Sequence, residues 1–250
     1  MSTLTATLSV VEERTELSWL ATDDAGRASV RLVCFPHAGG DPRTLLRWAS
    51  QLPVAVHLVV VAPGEAAGAL TDAAQAAAHR LADLPRLPTC LFGHSMGALL
   101  AYETARLLPP PGPAQLIVGG MEAPHRRTDH GHADLSDADL LRVLGEYGGT
   151  PTAVLGDEEF AAAYLARIRR DLRLLAAYRH RPGPLLRCPI SVTVGRADGL
   201  LDLEAVRAWR ELTLAVTKLA VVPGGHFFVQ EAAGFVRQVA DPLLDAATTW

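Results

Sequence analysis

The chain has 250 residues, of which 49% are hydrophobic and 20% charged, a composition that predicts one large or two small globular domains. Its formal net charge of −4 argues against non-specific binding to nucleic acid. Three widely spaced cysteines, Cys34, Cys90 and Cys188, provide neither a disulfide framework nor a CxxC metal motif and indicate a reducing compartment.

The N-terminal segment, residues 1–15, is expected to be poorly ordered. It has neither the basic start nor the long apolar core of a secretory signal. No apolar run in the chain approaches the roughly 18 residues that a membrane-spanning helix needs. We therefore expect a cytoplasmic protein that does not engage a membrane.

From residue 30 onward, short apolar runs alternate with segments of helix length. Strands are predicted at VRLVCF (30–35), VHLVVVAP (56–63), TCLFG (89–93), AQLIVGG (114–120), CPISVTVG (188–195) and VTKLAVVPG (216–224). Helices are predicted at 45–52, 71–84, 96–108, 203–213 and after residue 226. Since most of the strands are apolar on both faces, the pattern predicts an α/β fold with a mostly parallel sheet and helices on both faces.

Residues 121–187 interrupt this alternation. Helices with acidic N-terminal ends are predicted there, and no good strand. The simplest interpretation is a single domain over residues 1–250, with a helical insertion at 122–185 between two strands of the sheet.

The segment Gly93-His94-Ser95-Met96-Gly97 has the form G-x-S-x-G, between a predicted strand and a predicted helix. A nucleophile on a sharp strand-to-helix turn needs these glycines, because larger side chains would collide there. The start of the helix would place free N–H groups behind Ser95, where an oxyanion could form. A glycine-rich turn with an incidental serine is the alternative, but the strand and helix around it favour Ser95 as a nucleophile.

A serine nucleophile needs a base, and the base needs an orienting acid, which follow in the chain order Ser, Asp or Glu, His in this kind of fold. His226, in VVPGGHFFV, comes directly after the last predicted strand and is the candidate base. The candidate acid is Asp198, after the preceding strand. Asp202 is a rival, but its position favours the N-cap of the next helix.

An oxyanion hole needs two donors. The backbone N–H of Met96, directly after Ser95, is one candidate, and that of Ala38 in the FPHAGG loop is the other. A simple glycine turn is the alternative for that loop. His130 and His132 lack a Cys or carboxylate at ligand spacing, so no metal site is predicted.

Three segments together resemble one known family. LVCFPHAGG, LFGHSMGALLAYETAR and VVPGGHFFV are similar to the type II thioesterases that serve modular polyketide synthases and non-ribosomal peptide synthetases. The similarity covers about residues 30–240, and GGT at 148–150 with its neighbouring helices resembles the lid of that family.

The resemblance implies an α/β-hydrolase fold whose helical insertion covers the active site as a lid. It implies hydrolysis of aberrant or stalled acyl thioesters on the phosphopantetheine arm of acyl or peptidyl carrier proteins, without a cofactor. By this resemblance Ser95, Asp198 and His226 are the catalytic residues, and the N–H groups of Ala38 and Met96 form the oxyanion hole.

Two positions depart from the family's pattern. Glu65 follows Pro63-Gly64 where the family usually has an arginine, and Arg196 stands where the family tends to have an acidic residue. The first departure bears on any contact that the arginine makes near the pocket, and the second leaves Asp198 in place.

The insertion is rich in arginine. Ten arginines lie within residues 121–187: Arg126, Arg127, Arg142, Arg167, Arg169, Arg170, Arg173, Arg179, Arg181 and Arg187. Carrier proteins are generally acidic, so one hypothesis is that this face, and Arg169 and Arg170 in particular, docks the carrier. The alternative is a solvated helix face with ion pairs within the helix.

Two other functions remain open from the sequence. A general carboxylesterase or acyltransferase could use the same fold and the same residues. A binding protein without catalytic activity is the third possibility, although a complete Ser–Asp–His set argues against it.

Overall fold

Strands and helices alternate in the computed structural model, which describes residues 8–14, 17–22, 26–53, 55–148, 158–231, 236 and 239. The strands are β1 (Leu8–Arg14), β2 (Leu17–Thr22), β3 (Val30–Phe35), β4 (Val56–Pro63), β5 (Thr89–His94), β6 (Gln115–Gly119), β7 (Ile190–Gly195) and β8 (Thr217–Val222). The α-helices are α1 (Pro42–Leu46), α2 (Leu70–Ala82), α3 (Met96–Leu107), α4 (Asp137–Glu146), α5 (Glu158–Ala177), α6 (Leu203–Arg207) and α7 (Phe228–Glu231).

The six strands predicted from residue 30 onward are confirmed. The helix predicted over 45–52 is instead the short α1 followed by a 3-10 helix at Arg47–Ser50. In the same way, the segment 203–213 contains α6 and a 3-10 helix at Ala208–Leu212.

All eight strands form one sheet in the order β1-β2-β4-β3-β5-β6-β7-β8. The six strands from β4 to β8 in that order are parallel, and β1 and β2 run antiparallel to their neighbours. Along β3, Val33 and Phe35 join a core with α2 and α3, whereas Leu32 and Cys34 join a second core that contains Trp48. Both faces of the inner strands are therefore covered, as their apolar sequences predicted, whereas β8 at the edge of the sheet is largely exposed.

Within the N-terminal segment that was expected to be poorly ordered, Leu8–Arg14 form β1 along the edge of the sheet. This strand pairs with β2, from Leu8 opposite Thr22 to Arg14 opposite Leu17. The apolar stretch at Val10 and Val11 suits an extended chain, and β2 follows close enough in sequence to form an antiparallel partner. Residues 1–7 lie outside the described part of the chain.

The part of the insertion that the structure describes is helical. It contains a 3-10 helix at His132–Asp134, α4 and α5, and none of its described residues belongs to the sheet. Apolar side chains of α4 and α5 pack into the core above the sheet: Leu140, Leu144, Tyr164, Ile168, Leu172 and Leu174. Gly149 and Thr150, of the GGT segment, lie outside the described residues. Within the described ranges, no helix is both long and apolar enough to cross a bilayer.

Candidate active site

Ser95 lies at the turn between β5 and α3 in a backbone conformation that L-amino acids rarely adopt. Its φ is 54° and its ψ is −124°, and no other non-glycine residue in the described chain has a positive φ. A Cβ atom at Gly93 would collide with the backbone of Gly97, and one at Gly97 would collide with the carbonyl group of Phe35. The two glycines are thus required by the close approach of the backbone, as the sequence pattern predicted.

A line of two hydrogen bonds joins the three residues proposed for catalysis. The Oγ atom of Ser95 lies 3.0 Å from Nε2 of His226, and Nδ1 of His226 lies 2.8 Å from Oδ2 of Asp198. The His226 side chain is 8% exposed and that of Asp198 only 1% exposed. The second carboxylate oxygen of Asp198 accepts a hydrogen bond from the Leu200 backbone N–H at 3.1 Å. The acid is therefore held in place on both oxygens.

Asp198 and His226 meet because their loops continue the pairing of β7 with β8. Beyond the strands, the Arg196 N–H donates to the carbonyl oxygen of Val222, and the Ala197 N–H donates to that of Gly224. The contact between the two loops is so close that a Cβ atom at Gly195 would collide with the Gly225 carbonyl. The side chain of Arg196 is exposed, so this departure from the family's pattern leaves the loop undisturbed.

The imidazole of His226 must reach across the end of β6 to Ser95, and two glycines provide the space. The Ser95 N–H donates to the Gly119 carbonyl oxygen at 2.8 Å. Gly120 has a φ of 58°, and a Cβ there would lie 2.7 Å from the His94 ring and 3.4 Å from the His226 ring. No functional role was predicted for Gly119 and Gly120 from the sequence, although their position at the end of a predicted strand is a usable signal.

Of the two candidate acids, Asp202 caps a helix, which leaves Asp198 as the partner of His226. The Asp202 carboxylate accepts hydrogen bonds from the N–H groups of Glu204 and Ala205, at 2.7 and 2.9 Å, and is the N-cap of α6. Its backbone N–H in turn donates to the buried side chain of Glu122 at 2.8 Å. Glu122 also accepts from the Thr128 N–H at 2.6 Å, so this carboxylate, which sequence reasoning missed, joins two loops beside the site.

The FPHAGG loop forms a turn above the first residues of α3. The Gly40 N–H donates to the His37 carbonyl oxygen at 2.9 Å, and Gly39 at the third position has a φ of 72°. This geometry suits a turn that requires glycine at that position. Ala38 and Ser95 line the same cleft. Met96 is the first residue of α3, where backbone N–H groups have no partner within the helix.

A cleft of about 800 Å³, measured to its open mouth, lies over Ser95. One wall is apolar and comes from the insertion, with Leu144, Ile168, Leu172 and Leu175. Polar residues of the insertion also line the cleft: Thr128, Asp129, His130 and His132. Such a cleft can hold an apolar chain with its reactive end near Ser95. Among the described residues, no cluster of His, Cys, Asp and Glu is arranged to hold a metal ion.

Arg169 and Arg170 bind within the protein. The Arg169 guanidinium contacts the Asp137 carboxylate and donates to the Leu135 carbonyl oxygen at 2.7 Å. Arg170 pairs with Asp171 at 2.8 Å and donates to the carbonyl oxygen of Pro63 at 3.2 Å. Arg169 thus joins α5 to the start of α4, and Arg170 joins α5 to the end of β4 through the Pro63 carbonyl. Both guanidinium groups are therefore engaged within the protein, which disfavours the docking hypothesis for these two residues.

The buried His94 and the partly buried His37, both beside the site, give the folded state a pH dependence. Burial lowers the pKa of His37 to about 4, with the nearby His226 and Arg167 adding to this effect and a hydrogen bond to Ala38 opposing it. Burial also lowers the pKa of His94 well below its usual value, with His226 and His37 as further causes. Both side chains are therefore neutral in the folded protein near neutral pH.

We expect the free energy of unfolding to fall as the pH is lowered from 6.5. The unfolded chain binds protons at these histidines below that pH, whereas the folded chain excludes them down to about pH 4 at His37. Each histidine should contribute about 1 kcal/mol per pH unit. Burial raises the pKa of Asp171, and this opposes the trend.

Urea unfolding of the wild type and of His94→Asn between pH 7 and pH 5 checks this prediction. The variant should show a shallower dependence on pH, by about 1 kcal/mol per pH unit. Identical slopes for the two proteins would contradict the assignment of His94.

The sheet order, the serine turn and the carboxyl-edge loops define an α/β-hydrolase fold. Residues 30–245 match the thioesterase domain family model. The gramicidin S biosynthesis protein GrsT of Aneurinibacillus migulanus is 31% identical over 219 residues, which are 82% of this chain and 85% of GrsT. The chain therefore belongs to the thioesterase family.

Solved structures give the same result. The RedJ thioesterase from the prodiginine pathway of Streptomyces coelicolor is 34% identical, with a TM-score of 0.76 over 87% of this chain and 85% of that one. The type II thioesterase BorB from the borrelidin cluster is 30% identical, with a TM-score of 0.76 over 93% and 99% of the two chains. The resemblance to type II thioesterases that the sequence motifs indicated is thus confirmed.

Proposed function

We propose that this protein is an editing thioesterase of a polyketide or non-ribosomal peptide pathway. It would hydrolyse aberrant or stalled acyl groups from the phosphopantetheine arm of a carrier protein. The observation that carries the proposal is the hydrogen-bonded line from Ser95 through His226 to Asp198, which opens into a cleft with one apolar wall. The similarity to GrsT, RedJ and BorB supports the choice of pathway.

In the proposed first half-reaction, Nε2 of His226 takes the proton from Ser95 Oγ as this oxygen attacks the thioester carbonyl carbon. The tetrahedral intermediate collapses, the carbon–sulfur bond breaks, and the pantetheine thiol leaves with the proton from His226. In the second half-reaction, His226 takes a proton from water, which attacks the acyl-serine. The free acid then leaves, and Ser95 regains its proton from His226.

Asp198 has an electrostatic and orienting role in this scheme. Its Oδ2 atom accepts the hydrogen bond from Nδ1 of His226, so Nε2 is left as the basic nitrogen facing Ser95. The carboxylate also stabilises the imidazolium that forms in each half-reaction.

We assign the oxyanion hole to the backbone N–H groups of Ala38 and Met96. Met96 begins α3, and Ala38 lines the cleft beside Ser95. Backbone donors in a water-poor site favour the negative charge that develops on the carbonyl oxygen.

The insertion is proposed as a lid that selects the acyl group. Leu144 of α4 and Ile168 and Leu172 of α5 form part of the wall of the cleft. Such apolar contacts contribute binding free energy to a hydrocarbon chain in proportion to the apolar area that it buries. This arrangement favours acyl groups that are apolar and short enough for the cleft.

Carrier docking by the insertion would fall to arginines other than Arg169 and Arg170. The exposed arginines of residues 121–187 that remain are Arg126, Arg142, Arg173, Arg179, Arg181 and Arg187. Of these, Arg142 already pairs with Glu146 and Asp139 on its own helix. The three cysteines are buried and free, in keeping with a site of action in the cytoplasm beside the assembly line.

A panel of acyl-loaded carrier proteins tests the proposal. We expect kcat/KM for carrier-bound thioesters to exceed that for a simple ester of the same acyl group by at least about tenfold, because a carrier adds binding energy that an ester lacks. Equal or higher values for the ester would favour the general carboxylesterase instead. Failure of a fluorophosphonate to label Ser95, together with no hydrolysis of either substrate, would favour a non-catalytic binding protein.

A further inference from the structure

Helix α5 holds both polar groups of one residue in the loop that carries Ala38. The Gly39 N–H donates to Oδ2 of Asp171 at 2.8 Å. Nε of Arg167 donates to the Gly39 carbonyl oxygen at 3.1 Å. The peptide units on the two sides of Gly39 are therefore both fixed by side chains one helical turn apart on the same helix.

The Asp171 carboxylate is buried, with its residue 4% exposed, and both of its oxygens have partners. Its Oδ1 atom accepts from the Arg170 guanidinium at 2.8 and 3.0 Å, and Arg170 continues to the Pro63 carbonyl oxygen. Burying a carboxylate costs free energy that an apolar side chain at this position would not. The two oxygens of this carboxylate offset that cost through Arg170 and through the Gly39 N–H, so the contact with Gly39 is a specific feature of this loop.

The loop also sits directly on α5. A Cβ atom at Gly39 would lie 2.7 Å from Cβ of Ile168, in addition to the strain of its φ of 72°. Ile168 and Leu172 of the same helix line the cleft over Ser95. Helix α5 thus both lines the cleft proposed for the acyl chain and contacts the loop that carries the proposed oxyanion donor.

We propose that Asp171 and Arg167 are positioning residues: they hold the two peptide units that flank Gly39 and thereby orient the preceding His37–Ala38 peptide, whose Ala38 N–H points at the developing oxyanion. By this arrangement the insertion couples the seating of the acyl group to stabilisation of the transition state. The inference rests on the oxyanion hole assigned under the proposed function. Misplacing such a donor by about 1 Å can cost roughly 100-fold in rate, and loss of one donor costs about 100- to 1,000-fold.

The test compares Asp171→Ala with Asp171→Asn on an activated ester, below the melting temperature of each protein. Asp171→Ala removes the acceptor for the Gly39 N–H, and kcat should fall about 10- to 100-fold with KM changed less than about threefold. In an Arg170→Met background, where no guanidinium competes for the amide oxygen, Asp171→Asn keeps an acceptor for that N–H and should recover most of the kcat lost in Asp171→Ala. If Asp171→Ala does not fold, Arg167→Met replaces it, with an expected loss in kcat of about tenfold.

Inhibitor binding separates positioning from a general loss of structure. A boronic acid that adds to Ser95 forms a tetrahedral oxyanion mimic, and its inhibition constant should rise by the same factor as kcat/KM falls. The inhibition constant of an unreactive thioether analogue of the substrate should stay within about threefold. Asp137→Ala is the matched control. It removes an exposed carboxylate of α4 that pairs with Arg169 of α5, and it does not touch residues 37–40. Its kcat should equal that of the wild type.

Three outcomes would overturn the inference. They are an unchanged kcat in folded Asp171→Ala, equal weakening of the boronic acid and the thioether, and, with Arg170→Met in both proteins, Asp171→Asn as inactive as Asp171→Ala. The ester keeps this test separate from the proposed function. If the wild type cleaves the ester but no carrier-bound thioester, the editing function fails while the role of Asp171 can still be measured.

Discussion

Ser95→Ala is expected to abolish hydrolysis, lowering kcat about 10⁴- to 10⁶-fold for carrier thioesters and simple esters alike. The reason is that Oγ of Ser95 lies 3.0 Å from Nε2 of His226 at the floor of the cleft, and no other hydroxyl in the described part of the chain is hydrogen-bonded to that nitrogen. Labelling by a fluorophosphonate should disappear with the activity. Retention of more than a tenth of the wild-type rate would show that Ser95 is not the nucleophile.

Ser95→Gly provides a control that tests the strain at this turn separately from the chemistry. The φ of 54° and ψ of −124° at residue 95 cost any L-residue about 1–3 kcal/mol, whereas glycine adopts positive φ freely. Both variants should be inactive, but Ser95→Gly should be the more stable by about 1 kcal/mol in urea unfolding. Equal stabilities would mean that the backbone conformation at residue 95 costs alanine no more free energy than it costs glycine.

The sequence predicted this turn well because the spacing of Gly93 and Gly97 around Ser95 is visible within five residues. The contact that requires Gly93 is local, with the backbone of Gly97, whereas Gly97 is required by the distant Phe35 carbonyl on β3. The parallel strands were equally readable, because strands buried on both faces appear as continuous apolar runs. Asp198 and His226 followed from the order of the chain, once β7 and β8 were placed side by side.

The contacts of α5 could not be predicted in this way. Asp171 and Gly39 are 132 residues apart, and nothing in the neighbourhood of either residue indicates the other. The arginines of the insertion show the same limit. From the sequence, Arg169 and Arg170 could either dock a carrier protein or lie on a solvated helix face. In the structure, both instead donate hydrogen bonds to backbone carbonyl oxygens that are distant in sequence. The number of arginines in a segment does not show which of their side chains bind within the folded protein and which face solvent.

The edge strand β1 was missed for a different reason. An edge strand needs only one partner, so its sequence does not have to be apolar on both faces. Leu8–Arg14 contains charged residues at Glu12, Glu13 and Arg14, which lowered its resemblance to the inner strands. The strand is stabilised by its hydrogen bonds to β2, which its own composition does not reveal.

Replacing Asp198 by Asn should lower kcat by about 10⁴-fold, with little change in KM. Oδ2 of Asp198 accepts from Nδ1 of His226 at 2.8 Å, so an amide N–H group at that position would favour the wrong tautomer of the imidazole. The Leu200 N–H donates to Oδ1 at 3.1 Å, and this bond would hold the amide oxygen and turn the amide nitrogen toward His226. Steady-state kinetics on a carrier thioester measures the loss.

Asp202→Asn makes the same chemical change four residues away and serves as the matched control. Asn is as good an N-cap as Asp, so the hydrogen bonds to Glu204 and Ala205 survive, and both kcat and stability should stay near those of the wild type. Asp202→Ala removes the cap and should lower the free energy of unfolding by about 1 kcal/mol while kcat is retained. A large loss of kcat in Asp202→Asn, with Asp198→Asn active, would exchange the roles of the two carboxylates. The pair thus separates an acid that orients a histidine from one that starts a helix, although both follow the same strand.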